Sequence, residues 1–158
     1  MEQYPMTQQG YDKLRAELNH MEQVEMPAIL VRLAEARAEG DLRENAEYHG
    51  ARESQGLLEA KMGQLRYKLS NARIINVADL PKDEVSFGCS VRVYDNDYDE
   101  EAIYTIVGSG EEDVKNNKIL VSSPLAQGML GKKVGETAEV HAPAGIIELK
   151  ILEIMPPQ

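Results

Sequence analysis

Apolar residues in the first half of the chain recur at spacings of three and four residues. This period places them on one face and predicts a long amphipathic helix. Thr7 suits the N-cap of this helix. Pro27 interrupts the pattern, and we expect a kink there or a new helical segment, because proline cannot donate a backbone hydrogen bond. The apolar face consists of Leu14, Leu18, Met21, Val24, Ile29, Leu33 and Ala36.

A second helical pattern, from Glu44 to about Ala72, has the three-four alternation of a coiled-coil seam. At about 1.5 Å per residue this helix would be roughly 45 Å long. Only a few residues from Gly40 onward separate the two patterns, so we expect an antiparallel helical hairpin. Gly40 suits the position just after the first helix, where a positive φ angle is common. The seam consists of Tyr48, Ala51, Gln55, Leu58, Met62, Leu65, Leu69 and Ala72.

The second half of the chain changes to the alternating period of β-strands. About five strands, with a short helix from Pro124 to Leu130 that ends at Gly131, predict a compact α+β domain. We expect strands at 85–93, 102–107, 119–122, 137–141 and 146–154, with a turn at 94–99. The predicted domains are a coiled-coil hairpin at 1–75 with an acidic tip at 40–48, a linker at 76–82, and a second domain at 83–158.

Composition narrows the class of protein. The chain has 158 residues and a net charge of −10, and residues 76–158 hold 7 basic and 15 acidic residues, a net of −8. Such a surface opposes nonspecific nucleic-acid binding, which needs basic groups to displace counterions. The sequence contains no run of about 18 apolar residues that could span a membrane, and no secretory signal is visible. The single cysteine, Cys89, is expected to be a buried strand residue, and the expected compartment is the cytoplasm.

The turn between the two helical patterns carries two carboxylates, Asp41 and Glu44. Aspartate followed three residues later by glutamate is a capping-box pattern, and both charges suit the start of a helix. The same pair, flanked by Arg37 and Arg52 and close in sequence to Tyr48, also has the groups of a phosphodiester site: acids for a metal ion and bases for phosphate. Since the arginines could equally form ordinary ion pairs on a solvated helix, the residues alone leave both interpretations open.

Two carboxylates alone make a poor magnesium site, because Mg²⁺ requires near-octahedral oxygen ligation. We therefore expect the free protein to bind the ion weakly. The pair would serve only where another active site supplies the remaining ligands and a substrate phosphate. The three histidines, His20, His49 and His141, are too dispersed in the sequence to form a metal site.

Two segments give the chain a resemblance to a known family. GDLRENAEYHGARE, at the predicted tip, and SPLAQGMLGKKVGETAEVHAPAG, near the end, resemble the two domains of the bacterial Gre family of transcript cleavage factors. The resemblance extends over nearly the whole chain. Leu42 favours the GreA type of this family, because the corresponding position of the GreB type is usually basic.

The resemblance implies a function that the spacing of residues does not. It implies a monomeric accessory factor, not an enzyme, whose hairpin enters the secondary channel of bacterial RNA polymerase and stimulates cleavage of backtracked nascent RNA. Asp41 and Glu44 match the residues that help hold a Mg²⁺ ion shared with the polymerase, and Arg37 and Arg52 match a basic patch that contacts the displaced RNA. The second domain resembles an FKBP-like fold that docks on the polymerase.

Three other functions compete with this interpretation. A channel-binding inhibitor of the polymerase would share the architecture and have the opposite effect. A prolyl isomerase or chaperone would follow from an FKBP-like domain, but its pocket needs aromatic walls, and the chain has one Phe and no Trp. A self-associating coiled coil would need no polymerase, although an exposed acidic tip gives no reason for self-pairing.

Overall fold

The computed structural model describes residues 2–157, and the chain forms two compact units. One unit contains Asp12–Ala72, and the other contains Tyr4–Tyr11 together with the chain from Arg73 onward. The first unit is helical and the second is built around a β-sheet. The predicted α+β class is therefore confirmed.

Three helices and a π-helical segment account for most of the first half of the chain. Thr7 caps the first helix as predicted, because its Oγ1 accepts the backbone N–H of Gly10 at 3.1 Å. The connection between the second and third helices is short, so the two form the predicted hairpin. The helices are α1 at Gln8–His20, α2 at Met26–Ala38 and α3 at Ala46–Ser70, and the π-helical segment is Met21–Glu25.

The interruption at Pro27 takes the form of this π-helical segment. The N–H of Met26 donates to the carbonyl of Met21, five residues earlier. The wider turn fits an extra residue into the helix, and Pro27, which cannot donate a backbone hydrogen bond, follows within the first turn of α2. The extra residue also changes the helical phase. Val24 is consequently 54% exposed, so its predicted place on the apolar face was wrong.

The seam between α2 and α3 follows the predicted period. Helix α3 has 25 residues and is about 37 Å long at about 1.5 Å per residue, shorter than expected. Among residues 2–157, no helix is long and apolar enough to cross a membrane. Tyr48, Gln55 and Leu65 are half-buried. The buried side chains of the two helices are Leu33, Ala36, Ala51, Leu58, Met62 and Leu69.

The second unit contains a five-stranded sheet, in agreement with the predicted number of strands. The strands are β3 at Ser90–Asp95, β4 at Glu100–Val107, β5 at Lys118–Leu120, β6 at Thr137–Ala142 and β7 at Gly145–Met155, with α4 at Pro124–Met129. The strand order in the sheet is β5-β4-β3-β7-β6. Neighbouring strands are antiparallel except for the parallel pair β4 and β5. A separate two-stranded sheet, which the sequence pattern did not predict, joins β1 at Tyr4–Met6 to β2 at Ala72–Ile74.

The predicted strand at 85–93 was wrong in its first half. Val85, Phe87 and Cys89 are buried, as their alternation indicated, but the regular strand begins only at Ser90. Gly88 has a φ angle of +85°, a conformation that interrupts an extended strand. Burial raises the pKa of the Cys89 thiol, which makes this cysteine a core residue with little thiolate character.

Candidate functional site

The segment between α2 and α3 forms an exposed loop at the end of the hairpin. The backbone N–H of Glu39 donates to the carbonyl of Ala36 at 3.2 Å, and this contact ends α2. Gly40 follows with a φ angle of +121°, a value that favours glycine because a side chain would be strained there. The predicted role of Gly40 as the residue that ends the first helix is confirmed.

Helix α3 begins later than predicted, and its cap is Asn45. The Oδ1 atom of Asn45 accepts the backbone N–H of Tyr48 at 3.0 Å. Asp41 and Glu44 both precede this cap and belong to the loop, so the predicted capping box was wrong. Asparagine is among the best N-cap residues, and this preference is the signal in the sequence that makes Asn45 a candidate cap.

The side chain of Asn45 also joins the two helices. Its Nδ2 donates to the carbonyl of Ala36 at 2.7 Å, across nine residues of sequence. This carbonyl lies in the last turn of α2, where backbone oxygens lack their usual helical partners. A second contact connects the loop to α3, because Nε2 of His49 lies 3.1 Å from the carbonyl of Arg43. Side-chain contacts to the backbone therefore hold the loop at both helices.

The two candidate carboxylates differ in their contacts. Asp41 Oδ1 accepts the backbone N–H of Arg43 at 2.9 Å and lies 3.6 Å from Arg43 Nε, and the Asp41 side chain is 56% exposed. Glu44 is exposed, and within residues 2–157 its side chain makes no hydrogen bond or ion pair. Both side chains are open to solvent, and Glu44 has every carboxylate lone pair available.

The loop offers ligand chemistry that suits Mg²⁺ but an incomplete set of ligands. Carboxylate oxygens are hard donors, which Mg²⁺ prefers. Across the described part of the chain, no three or more His, Cys, Asp or Glu side chains cluster closely enough to hold a metal ion. The chemistry of Asp41 and Glu44 thus suits Mg²⁺, but the two side chains supply only part of the ligand set that the ion requires.

The two candidate arginines lie on different helices beside the loop. Arg37 is in the last turn of α2, and its Cζ atom is 5.8 Å from the ring centroid of Tyr48, a cation–π contact. Arg52 Nη1 donates to Gln55 Oε1 at 2.9 Å on α3. Glu44 does not share a helical face with Arg52, since Glu44 precedes the helix. Tyr48 and Arg52 do share a face, because both belong to α3, four residues apart.

A second acidic pair flanks the loop and was missed by the sequence reasoning. Glu39 follows the last residue of α2, and Glu47 is in the first turn of α3. The negative charge of Glu47 and a side-chain hydrogen bond between the two carboxyl groups raise the pKa of Glu39, with smaller contributions from burial and from Glu35. The eight-residue separation gave no signal for this pair, because it arises from the geometry of the turn.

Comparisons with known proteins extend over both units. A family model described as transcription elongation factor, N-terminal, matches residues 4–74, and one described as transcription elongation factor, GreA/GreB, C-term, matches residues 80–156. The transcription elongation factor GreA of a Psychrobacter species is 47% identical over 156 residues, which cover 98% of this chain and 99% of the relative. The factor of the same name from Caldanaerobacter subterraneus is 48% identical over 149 residues, or 94% and 95% of the two chains.

A solved structure is also similar. GreA factor homolog 1 of Thermus thermophilus matches 97% of this chain and 99% of its own, with 22% sequence identity and a TM-score of 0.47. The two family-model matches, together with the hairpin and the sheet unit, define the class of this protein. It is a transcription elongation factor. Within this class, the chain belongs to the GreA/GreB family.

Proposed function

We propose that this elongation factor acts on bacterial RNA polymerase by inserting its hairpin into the secondary channel of the enzyme. There it stimulates the polymerase to cleave backtracked nascent RNA and so rescues arrested complexes. The observation that carries the proposal is the exposed pair Asp41 and Glu44, in the loop that joins two long helices. A two-helix hairpin is narrow enough to enter a channel, and its loop presents acids at the leading end.

Asp41 and Glu44 contribute oxygen ligands to a Mg²⁺ ion in the polymerase active site. When bound, such an ion neutralises developing charge on phosphate and lowers the pKa of a bound water. Asp41 uses Oδ1 for the backbone N–H of Arg43, a bond that orients the carboxylate and leaves Oδ2 for another ligand. Glu44 has no competing contact in the described chain, so no ion pair must break before it binds.

Arg37 and Arg52 supply positive charge for the displaced RNA. Guanidinium groups bind phosphate oxygens through paired, charge-assisted hydrogen bonds. Arg37 is held over the ring of Tyr48, which limits its freedom and lowers the entropy lost when it binds phosphate. Arg52 uses Nη1 for Gln55, and its other guanidinium nitrogens remain for RNA. The two arginines lie on the two helices that the acidic loop joins.

The protein is an accessory factor because the rest of the site belongs to the polymerase. Its own residues provide two candidate ligands, whereas Mg²⁺ requires about six. The free monomer accordingly binds the ion weakly and does not cut RNA. The acidic sheet unit, an FKBP-like domain in this proposal, docks on the polymerase outside the channel, and the protein acts in the cytoplasm with its partner.

Cleavage of RNA in stalled, backtracked elongation complexes tests the proposal. The wild-type protein should accelerate cleavage when polymerase and Mg²⁺ are both present, and should cut nothing by itself. Asp41→Asn and Glu44→Gln keep the shape of each side chain and remove its charge, so each should lower the cleavage rate by about 10²-fold or more, in the range of other lost transition-state contacts. Glu47→Gln is the matched control, because it removes a carboxylate from the first turn of α3 and should retain stimulation.

Binding to the polymerase separates the possible outcomes. Both loop variants should compete with the wild-type protein for polymerase at similar concentrations. Full stimulation by either variant would refute the metal-ligand role. If the wild-type protein slowed nucleotide addition and failed to accelerate cleavage, the factor would be a channel-binding inhibitor instead. Arg52→Ala should raise the concentration of factor needed for cleavage without lowering its melting temperature.

A further inference from the structure

We infer that Asn45 is a positioning residue, whose amide fixes the acidic loop so that Asp41 and Glu44 reach the metal ion together. The inference rests on the proposed function of these two carboxylates. Asn45 follows Glu44 directly, and its side chain contacts both helices that bear the loop, at Ala36 and Tyr48. In the inferred role, Asn45 acts through the loop and contacts neither substrate nor metal itself.

The bond to Ala36 serves a role that helix capping does not require. Serine or aspartate would accept the N–H of Tyr48 about as well as asparagine does. Aspartate has no donor, and the single hydroxyl of serine is one bond shorter, whereas an amide carries an acceptor and two donor hydrogens on one rigid group. Asn45 uses both functions, with bonds of 3.0 Å to Tyr48 and 2.7 Å to Ala36. The second bond therefore explains why an amide occupies this cap.

The carbonyl of Ala36 accepts two hydrogen bonds. The backbone N–H of Glu39 lies 3.2 Å from it, and Nδ2 of Asn45 makes the shorter contact, at 2.7 Å. Ala36 is 2% exposed, and loss of a buried hydrogen bond is costly. The amide bond holds Asn45, the residue just before α3, against the end of α2. The bond thereby fixes the distance that residues 40–44 must bridge.

The loop has few other constraints. Asp41, Arg43 and Glu44 are exposed, and Leu42 is half-buried. Two other contacts connect residues 40–44 to the helices: the N–H of Gly40 donates to the carbonyl of Arg37 at 3.5 Å, and His49 Nε2 lies 3.1 Å from the Arg43 carbonyl. Ligands of Mg²⁺ must be placed within a few tenths of an ångström of octahedral geometry, at about 2.0–2.1 Å from the ion. Loss of the amide bond should therefore lower the fraction of loops that present both carboxylates correctly.

The variant Asn45→Ser separates positioning from capping. Serine keeps the cap on α3, but its hydroxyl ends one bond short of the position of Nδ2 and so loses the 2.7 Å contact to Ala36. We expect the melting temperature and the concentration of factor at half-maximal cleavage to stay near the wild-type values. The maximal cleavage rate should fall about tenfold or more, since small misplacements of reacting groups cost up to about 10²-fold. The Mg²⁺ concentration at half-maximal rate should rise, a change that a merely structural role would not produce.

Asn71→Ser is the matched control. Asn71 Nδ2 donates to the carbonyl of Tyr67 at 2.8 Å, at the opposite end of α3 from Asn45. The substitution therefore removes a similar amide bond far along the helix from the loop. This variant should retain the wild-type cleavage rate and Mg²⁺ dependence. Asn45→Asp gives a second form of the test, because aspartate also caps α3 and lacks the donor. It should lose cleavage rate as the serine variant does.

The outcomes distinguish this inference from the proposed function. Asp41→Asn is measured beside the Asn45 variants. If it is inactive while Asn45→Ser and Asn45→Asp reach the wild-type maximal rate, the positioning role is overturned and the proposed function stands. If Asp41→Asn retains full stimulation, both are overturned. A fall in maximal rate for both Asn45 variants, with an unchanged Asn71→Ser control, supports the positioning role.

Discussion

Leu57 and Leu58 are adjacent leucines on α3 that test the seam of the hairpin with one chemical change. Leu58 is 6% exposed and Leu57 is 61% exposed. Truncation of either to alanine removes the same atoms from the same helix and gains the same helix propensity. Any difference in the free energy of unfolding between the two variants therefore reports burial against the rest of the hairpin.

The structure sets the size of this difference. About half a leucine side chain more is removed from water at position 58 than at position 57. Because full burial of leucine contributes roughly 1.5–3 kcal/mol, the transfer part of the difference is about 1 kcal/mol. Truncation at the buried position also leaves a cavity, which raises the whole cost of a buried Leu→Ala change to about 2–5 kcal/mol. Leu57→Ala should change the free energy of unfolding by less than about 1 kcal/mol.

Urea denaturation of the full chain, followed by circular dichroism at 222 nm, measures the difference. With an m-value of about 1–3 kcal/mol/M, a difference of at least about 1 kcal/mol means that Leu58→Ala should lower the midpoint of the helical transition by at least about 0.3 M relative to Leu57→Ala. The sheet unit can unfold in a separate step, so only the transition that carries most of the helical signal is compared. Equal midpoints for the two variants would refute the assignment of Leu58 to the seam.

Two further predictions concern the sheet unit and the loop. In Gly108→Ala the added Cβ would lie 2.8 Å from Met6 Cα and closer still to the carbonyl of Pro5, so we expect a loss of about 1–3 kcal/mol by overpacking; an unchanged melting temperature would contradict this. Glu39 has a pKa raised above 4.5 by Glu47, so its protonated form is favoured in the fold and stability is lost as the pH rises through the raised pKa. Glu39→Gln should remove this loss, and melting curves across that pH range should show a smaller decline than the wild type.

The period of apolar residues was sufficient to predict both units. Helical spacing identified the face that contains Leu33 and Met62, and alternation identified the five strands of the sheet, because burial against a neighbour imposes these periods. The same signal failed where the backbone is irregular. The π-helical segment before Pro27 moved Val24 out to solvent, and Gly88 delayed the start of β3. The first departure removes only Val24 from the apolar face and the second leaves Val85 and Phe87 buried, so the apolar pattern contains little record of either.

The start of α3 could not be decided from the pattern, because two capping arrangements compete within five residues. Asp41 with Glu44 has the spacing of a capping box, and Asn45 is an equally suitable cap. The choice depends on a contact across the hairpin, from Asn45 to Ala36, which sequence spacing does not encode. The same tertiary contact brings Glu39 near Glu47. The candidate loop was thus located from the sequence, but its internal geometry was not.

The later start of α3 strengthens the interpretation of the loop as a functional site. A carboxylate that caps a helix has a structural reason to be there, because it binds backbone N–H groups and meets the positive end of the helix. Asn45 already fulfils this role, so Asp41 and Glu44 are not needed for it. Glu44 in particular has no partner in the described chain that stabilises its charge. Transfer of such a group into a confined site costs desolvation energy unless a cation offsets it. This is the physical reason for proposing that the loop meets a metal ion where it acts.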